Sequence, residues 1–230
     1  MDQLISIDKY LFRIINQSGF DQIDPAMQLI SNKFFWIPLY LYLIYLIYIK
    51  FSDKFIKVLL SIGLLIFLAD YGSVNLFKDV FERLRPCYQL DQIRLIGACG
   101  GKFGFISSHA SNSFAIAFFI GILFRNFRMF AWMFSWAFLI GYSRVYLGVH
   151  FPFDILGGMI WGMLVSIFVY YIYRMKIIKL DWVWLAWLIL VCIWNFLWPE
   201  VPPLADVLVA VLLSIFVVFF KKKKIKDIIT

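Results

Sequence analysis

The stretch SRVYLGVHFPFD, residues 143–154, decides how this chain is organised, because it places polar and charged side chains between two apolar runs. The run before it covers 129–143 and the run after it covers 155–173. Each run approaches the roughly 20 residues that an α-helix needs to cross the hydrocarbon core of a bilayer. The stretch is therefore either an ordinary polar loop between two membrane helices or part of a functional site.

The composition of the whole chain is that of an integral membrane protein. Of its 230 residues, 63% are hydrophobic and 16% are charged, whereas a soluble domain is about half apolar and about a quarter charged. Lysine and arginine side chains that snorkel at the ends of the shorter runs can complete a span. We therefore predict an all-α integral membrane fold, a bundle of about six to seven transmembrane helices. The apolar runs behind this prediction are 34–49, 58–77, 110–124, 129–143, 155–173, 182–199 and 207–220.

The first 33 residues differ from the rest, because acidic and basic side chains interrupt them. No basic segment leads into an apolar stretch, so a cleaved signal peptide is not expected. Apolar residues at helical spacing predict an amphipathic helix in the membrane interface; they are Leu4, Ile5, Tyr10, Leu11, Ile14 and Ile15. The predicted division is an interfacial segment at 1–33, a transmembrane domain at 34–220 and a basic cytoplasmic tail at 221–230.

The distribution of positive charge predicts the topology. The alternating helices bring 13 of the 22 Lys and Arg residues to one side, which the positive-inside rule identifies as cytoplasmic. The net charge of +8 then indicates contact with anionic lipid. Nucleic acid is not an expected partner, because the basic residues form no soluble domain. The segments that carry the 13 residues are 50–57, 125–128, 174–179 and 221–226.

Nine basic residues remain on the predicted outer side, and six of the nine fall in the segments 78–109 and 144–154. Because they oppose the positive-inside rule, an anionic ligand is the natural reason for their position. The long outer loop 79–106 is of a kind that is usually functional. It contains Cys87 and Cys99, which either form a disulfide in an oxidising compartment or remain free thiols.

The first of three polar segments is KDVFERLRP, residues 78–86, which directly follows the apolar run 58–77. Lys78 and Arg85 are seven positions apart, two turns of a helix, so their side chains can project from one face. Pro86 is expected to end the helix. Arg83 is off that face and is not expected to join the other two cations.

The second and third segments carry the only two histidines of the chain. Ser107 and Ser108 are N-cap residue types that precede a long apolar run, and His109 falls in the first turn of the predicted helix. The N-terminus of a helix binds anions. In the third segment His150 and Asp154 are four positions apart, so the carboxylate can accept a hydrogen bond from one ring nitrogen and leave the other free.

Together these groups suit a phosphoryl group. Guanidinium groups and a helix N-terminus stabilise the charge on phosphoryl oxygens. The few carboxylates nearby have no metal-ligand spacing, so no metal or other cofactor is expected. Two histidines suggest that one acts as nucleophile and the other as acid–base catalyst.

In order and spacing, the segments resemble the three-part signature of the type 2 phosphatidic acid phosphatase superfamily, which includes bacterial lipid phosphatases and vanadium haloperoxidases. The resemblance covers about 55–175. The middle motif of the family usually reads Pro-Ser-Gly-His, whereas this chain has Ile106 and Ser108 at the proline and glycine positions, which leaves the loop geometry open. The matching residues are Lys78-x6-Arg85-Pro86, Ser107-Ser108-His109 and Ser143-Arg144-x5-His150-x3-Asp154.

The resemblance implies a role for each residue. His150 would attack phosphorus and form a phosphohistidine, and Asp154 would orient it. His109 would protonate the leaving oxygen and then help to activate water. The phosphate-binding set that it implies is Lys78, Arg85, Ser107, Ser108 and Arg144.

We therefore expect a metal-independent lipid-phosphate phosphatase, a multi-pass protein of the bacterial cytoplasmic membrane with its site facing the periplasm or outside. By resemblance, undecaprenyl diphosphate is the first expected substrate, lipid A phosphates the second and phosphatidylglycerophosphate or phosphatidic acid the third. The alternatives are a haloperoxidase, which would oxidise halide with added vanadate, and an anion transporter, which would move anions without releasing phosphate. The sequence does not determine the oligomeric state.

Overall fold

The computed structural model describes residues 2–175, and over this range the protein is helical without a β-strand. The predicted runs 182–199 and 207–220 and the basic tail lie outside the described residues. The main helices are α1 (Asp2–Gln17), α2 (Asp24–Ser31), α3 (Ile37–Lys50), α4 (Phe55–Gly72), α5 (Ser108–Phe124), α6 (Phe127–Tyr146) and α7 (Pro152–Arg174). The shorter helical segments are Lys33–Trp36, Ser52–Lys54, Ser73–Lys78, Asp79–Phe81 and Pro86–Gln89.

Three continuous helical stretches are long and apolar enough to cross a membrane: Lys33–Lys50, Ser52–Phe81 and Pro152–Arg174. Helix α5 is also apolar, with 17 residues. These stretches make the chain a multi-pass membrane protein, and a total of six to seven spans stays a prediction.

Helix α5 is the centre of the bundle and packs against α4, α6 and α7. Its approach to α7 is close because glycine faces it: a Cβ added at Gly162 would lie 2.6 Å from the carbonyl oxygen of Ser111. Small residues allow this backbone contact, as is usual where helices meet in membranes. A hydrogen bond from Ser166 Oγ to the Ala115 carbonyl, 2.7 Å long, also joins the two helices. The close packing fixes the start of α5 beside the start of α7.

Helix α1 has one side turned into the protein. Asp8, Phe12 and Asn16 are completely buried along that side, four positions apart. The apolar residues that predicted an amphipathic helix include Leu4 and Tyr10, which are exposed. The location of this exposed side in the membrane interface stays a prediction.

One end of the bundle carries the basic loops, and the other end carries the polar segments of the candidate site. At one end Lys50 Nζ donates to the carbonyl of Phe124, the last residue of α5, over 3.0 Å. The polar segments 78–86, 107–109 and 143–154 meet at the opposite end, where α5 and α7 begin. The candidate site therefore lies at the end away from the basic loops.

Candidate active site

The first polar segment reaches the site by a reversal of the chain. Lys78 is the last residue of a π-helical turn that continues α4, and the helix stops at Phe81 because Glu82 adopts a left-handed conformation with φ 46°. Arg85 lies beyond this turn in extended backbone, and Pro86 begins the next short helix. The expectation that Lys78 and Arg85 share a helix face, with Pro86 ending that helix, is therefore wrong.

The start of α5 joins the first segment through its serines. Ser107 caps the helix and its Oγ accepts from the Ala110 amide over 3.4 Å, in keeping with its residue type. Ser108 Oγ accepts from Lys78 Nζ over 2.7 Å and shares a second 2.7 Å hydrogen bond with Ser73 Oγ. The serine at the glycine position of the family motif thus contacts Lys78 through its side chain.

The His150–Asp154 pair is buried at the centre of the site. His150 Nδ1 lies 3.3 Å from Asp154 Oδ2, and the same oxygen accepts from the Phe151 amide over 3.0 Å. His150 Nε2 lies 3.1 Å from Nη1 of Arg85, a permanent donor. This network assigns the proton to Nδ1 and the lone pair to Nε2.

Burial lowers the pKa of His150 well below its ordinary value, and the positive charges of Arg85, Arg144 and Lys78 lower it further. Its imidazole is therefore neutral at neutral pH. A neutral ring with its lone pair on Nε2 is the form that can attack an electrophile.

Arg83, which was not expected from its sequence position to join the other cations, supports the His150–Asp154 pair. Arg83 Nη1 donates to Asp154 Oδ1 over 2.9 Å, and Nη2 donates to Asp8 Oδ2 over 2.6 Å. Asp8 also accepts from the Phe153 amide over 2.9 Å. Both carboxylates are completely buried, so Arg83 neutralises two acids and ties α1 to the start of α7. The burial of α1 at every fourth position is visible only in the fold, and no feature of the sequence alone singles out Asp8.

The other predicted residues surround the same space. Arg144 projects from α6, where Nη1 donates to Ser31 Oγ and Nε is buried without a partner among residues 2–175. His109 and Ser108 line a cavity of about 250 Å³. Arg144 and His150 are close enough to His109 to act on it electrostatically.

The outer loop is attached next to Arg85. Cys87 and Cys99 are paired as a disulfide with their Cα atoms 6.3 Å apart. The amide of Arg85 donates to the Lys102 carbonyl over 3.2 Å, and the Gly104 amide donates to the Arg83 carbonyl over 2.8 Å. These contacts place the returning loop against both arginines. Oxidation of the two thiols in the cell stays a prediction.

The geometry suits covalent phosphoryl transfer at the end of a membrane helix bundle. A neutral imidazole faces a helix N-terminus and several fixed cations, which can stabilise the oxygens of a phosphoryl group. Within residues 2–175, no three His, Cys, Asp or Glu side chains are grouped so as to hold a metal ion. The fold and the site together define a membrane enzyme that acts on phosphate groups.

Comparison with known proteins identifies the family. The profile of the PAP2 superfamily matches residues 54–178. The chain is 34% identical over 179 residues to the lipid A 4'-phosphatase of Porphyromonas gingivalis, covering 75% of each chain. It is 27% identical over 170 residues to the undecaprenyl-diphosphatase of Sulfolobus acidocaldarius, covering 72% of this chain and 78% of that one. The crystal structure of Aquifex aeolicus LpxE is similar with a TM-score of 0.53 and 26% identity, over 70% of this chain and 93% of that chain.

The chain belongs to the PAP2 superfamily and is a membrane lipid phosphatase. The matched region nearly coincides with the core of about 55–175 over which the three motifs resemble this superfamily. The family assignment made from those motifs is confirmed.

Proposed function

We propose that this protein removes a phosphate from lipid A, with its site at the outer face of a bacterial inner membrane. The observation that carries the chemistry is His150 Nε2, which has its lone pair directed at the Arg85 guanidinium while Nδ1 contacts Asp154. The choice of lipid A follows the relatives, because the lipid A 4'-phosphatase is more similar, at 34% identity, than the undecaprenyl-diphosphatase, at 27%. The sequence-based preference for undecaprenyl diphosphate therefore becomes the second candidate.

In the proposed reaction the substrate phosphate binds first. Its oxygens take hydrogen bonds from Arg85, Arg144, Lys78 and Ser108, and the start of α5 adds partial positive charge. Without substrate, Arg85 Nη1 donates a hydrogen bond to His150 Nε2 over 3.1 Å. Transfer of that donor to a phosphate oxygen frees the lone pair for attack.

The chemical step forms an N–P bond at His150 Nε2 and breaks the P–O bond to the lipid. Burial and the surrounding cations lower the pKa of His109 in the free site; the negative charge of the bound phosphate offsets those cations, so His109 takes up a proton when substrate binds. It gives this proton to the leaving oxygen, so the lipid departs as an alcohol. Asp154 accepts the Nδ1 hydrogen bond and stabilises the positive charge that develops on the ring. Water then attacks phosphorus, His109 takes its proton, and inorganic phosphate leaves as His150 is restored.

The proposed location follows from the charge distribution. The site is at the opposite end of the bundle from Lys50, Lys57 and Arg125, and the positive-inside rule puts those residues in the cytoplasm. Lipid phosphates at the outer interface then lie at the level of the site. The proposed disulfide between Cys87 and Cys99 agrees with this compartment.

Phosphate release from a panel of lipids tests the proposal. Purified full-length protein in mixed micelles is given lipid A bisphosphate, undecaprenyl diphosphate and phosphatidylglycerophosphate, each with and without EDTA. We expect the largest kcat/KM with lipid A, retained in EDTA, and its loss in the His150→Asn variant. Preference for undecaprenyl diphosphate would select the second candidate, and loss of all turnover in EDTA would contradict the metal-free mechanism.

A further inference from the structure

The cavity beside His109 lies where the leaving group of the proposed reaction must lie. His109 is the proposed donor to the leaving oxygen, and it lines this cavity of about 250 Å³ together with Ser108. The other walls come from α2, α3, α4 and α6, from the segment between α2 and α3, and from residues further along α5. Whatever is attached to the phosphate therefore meets the side chains of these walls.

An acid and an amide face this space one helical turn from His109. Asp70 interrupts the apolar run of α4, is exposed to the cavity and accepts from Asn112 Nδ2 over 3.1 Å. Asn112 Oδ1 is buried and accepts no hydrogen bond from residues 2–175. A carboxylate and an amide oxygen recognise hydrogen-bond donors, such as hydroxyl and amide N–H groups.

The charge of Asp70 also distinguishes between leaving groups. The exposed Lys33 also lines this cavity, and its positive charge offsets the negative charge of Asp70. The cavity walls outside the phosphate-binding residues therefore carry no net positive charge. A leaving group that is itself a phosphate would be repelled by the carboxylate and would have few donors to offer it. A sugar ring with hydroxyl and amide groups has the donors that Asp70 and Asn112 require.

Aromatic rings connect this polar cavity to an apolar groove. Trp36 and Trp136 form an edge-to-face pair with centroids 5.9 Å apart, and both also line a groove of about 600 Å³ between α3 and α6. The groove is otherwise mainly apolar, with Leu39, Met133 and Leu139 among its walls. Phosphate site, polar cavity and apolar groove thus follow one another in the order of the parts of a phosphorylated glycolipid.

We propose that the cavity binds the sugar headgroup of a phosphorylated glycolipid, with Asp70 and Asn112 as specificity-determining residues, and that the groove binds an acyl chain of the same molecule. This inference rests on the proposed function and deepens it, because it assigns the selection of a glycolipid over a polyprenyl diphosphate to particular side chains.

The test compares ratios of kcat/KM, because Asp70 also acts electrostatically on Lys78 and its removal affects every substrate. Full-length protein in mixed micelles is assayed with lipid A bisphosphate, undecaprenyl diphosphate and the soluble ester p-nitrophenyl phosphate. The variants are Asp70→Asn, which keeps the shape of the side chain, and Asn112→Ala. Asp79→Asn is the matched control, since Asp79 is exposed outside the cavity lining.

We expect Asp70→Asn to lower the ratio of lipid A to p-nitrophenyl phosphate by about tenfold, as for a lost hydrogen bond to a charged group, and Asn112→Ala by severalfold. The ratio of undecaprenyl diphosphate to the soluble ester should rise in Asp70→Asn. The Asp79→Asn control should leave all ratios unchanged. For the groove, Leu139→Trp should raise the KM for lipid A, and Leu164→Trp on the exposed side of α7 should not.

Two different failures can be told apart. If the wild type cleaves lipid A but Asp70→Asn changes all substrates by the same factor, the headgroup assignment is overturned and the proposed function stands. If the wild type releases no phosphate from lipid A, the proposed function is overturned and the headgroup assignment with it.

Discussion

Replacement of Arg83 by glutamine should destabilise the protein and slow its chemistry, although Arg83 is outside the phosphate-binding set. Its guanidinium neutralises two completely buried carboxylates at 2.9 and 2.6 Å and lies 4.4 Å from the ring centroid of Phe151. Glutamine keeps one donor group but removes the charge, so Asp8 and Asp154 would lose the cation that bridges them. The expected loss in the free energy of unfolding is therefore that of breaking a buried ion pair.

The expected magnitude follows from the burial of the three groups. Removal of one partner from a buried pair costs about 3–5 kcal/mol. Because Arg83 itself is 24% exposed, solvent screens part of its charge, and we expect a cost near the lower limit, about 3 kcal/mol. For a chain of this size that corresponds to a decrease of roughly 6–12 °C in Tm.

Thermal unfolding in micelles, measured by circular dichroism, gives the stability change, and the rate of phosphate release gives the effect on His150. Arg128→Gln is the matched control, because Arg128 is exposed at the opposite end of the bundle. A double-mutant cycle with Asp8→Asn separates the network from general damage, and we expect a coupling energy of about 1 kcal/mol or more. Additive effects of the two changes, or an unchanged Tm in Arg83→Gln, would refute the network.

Three further outcomes are expected. Because the folded state lowers the pKa of His150, only the unfolded chain takes up a proton below about pH 6.5. The free energy of unfolding should therefore decrease as the pH is lowered below this value, by up to about 1.4 kcal/mol per pH unit. Denaturant titrations at several pH values should give a shallower pH dependence for His150→Asn, and an equal dependence would contradict the neutral, buried ring. Ser107→Ala should cost about 1 kcal/mol by loss of the cap on α5, and Ser107→Thr should retain most of it, as unfolding midpoints will show. Protein purified without reductant should resist thiol alkylation at Cys87 and Cys99, and labelling of both residues would exclude the disulfide.

The sequence predicted the parts of the site that depend on local spacing. The five apolar runs within residues 2–175 fall within helical segments, and the four-residue spacing of His150 and Asp154 does bring their side chains to 3.3 Å. Ser107 caps α5 as its residue type indicated. In each case the relevant partner is within one helical turn, so helical geometry alone is sufficient.

The parts that were missed or wrong depend on tertiary contacts or on irregular backbone. The seven-residue spacing of Lys78 and Arg85 suggested one helix face, but the left-handed Glu82 ends the helix between them. Arg83 falls off the helix face expected for Lys78 and Arg85, and its partners in the structure come from α1 and α7, up to 75 positions away in the chain. A pattern within a single segment cannot show such partners.

The most direct test of the account is to trap the phosphoenzyme. Full-length protein is mixed rapidly with lipid A that carries a radiolabelled phosphate, quenched in alkali, in which phosphohistidine survives, and mapped by peptide mass spectrometry. We expect label on His150 alone and none in His150→Asn. With p-nitrophenyl phosphate, whose leaving group needs no proton, the phosphoenzyme should accumulate in His109→Gln, where water is no longer activated. Label on another residue, or lipid A turnover that persists in His150→Asn, would contradict the account.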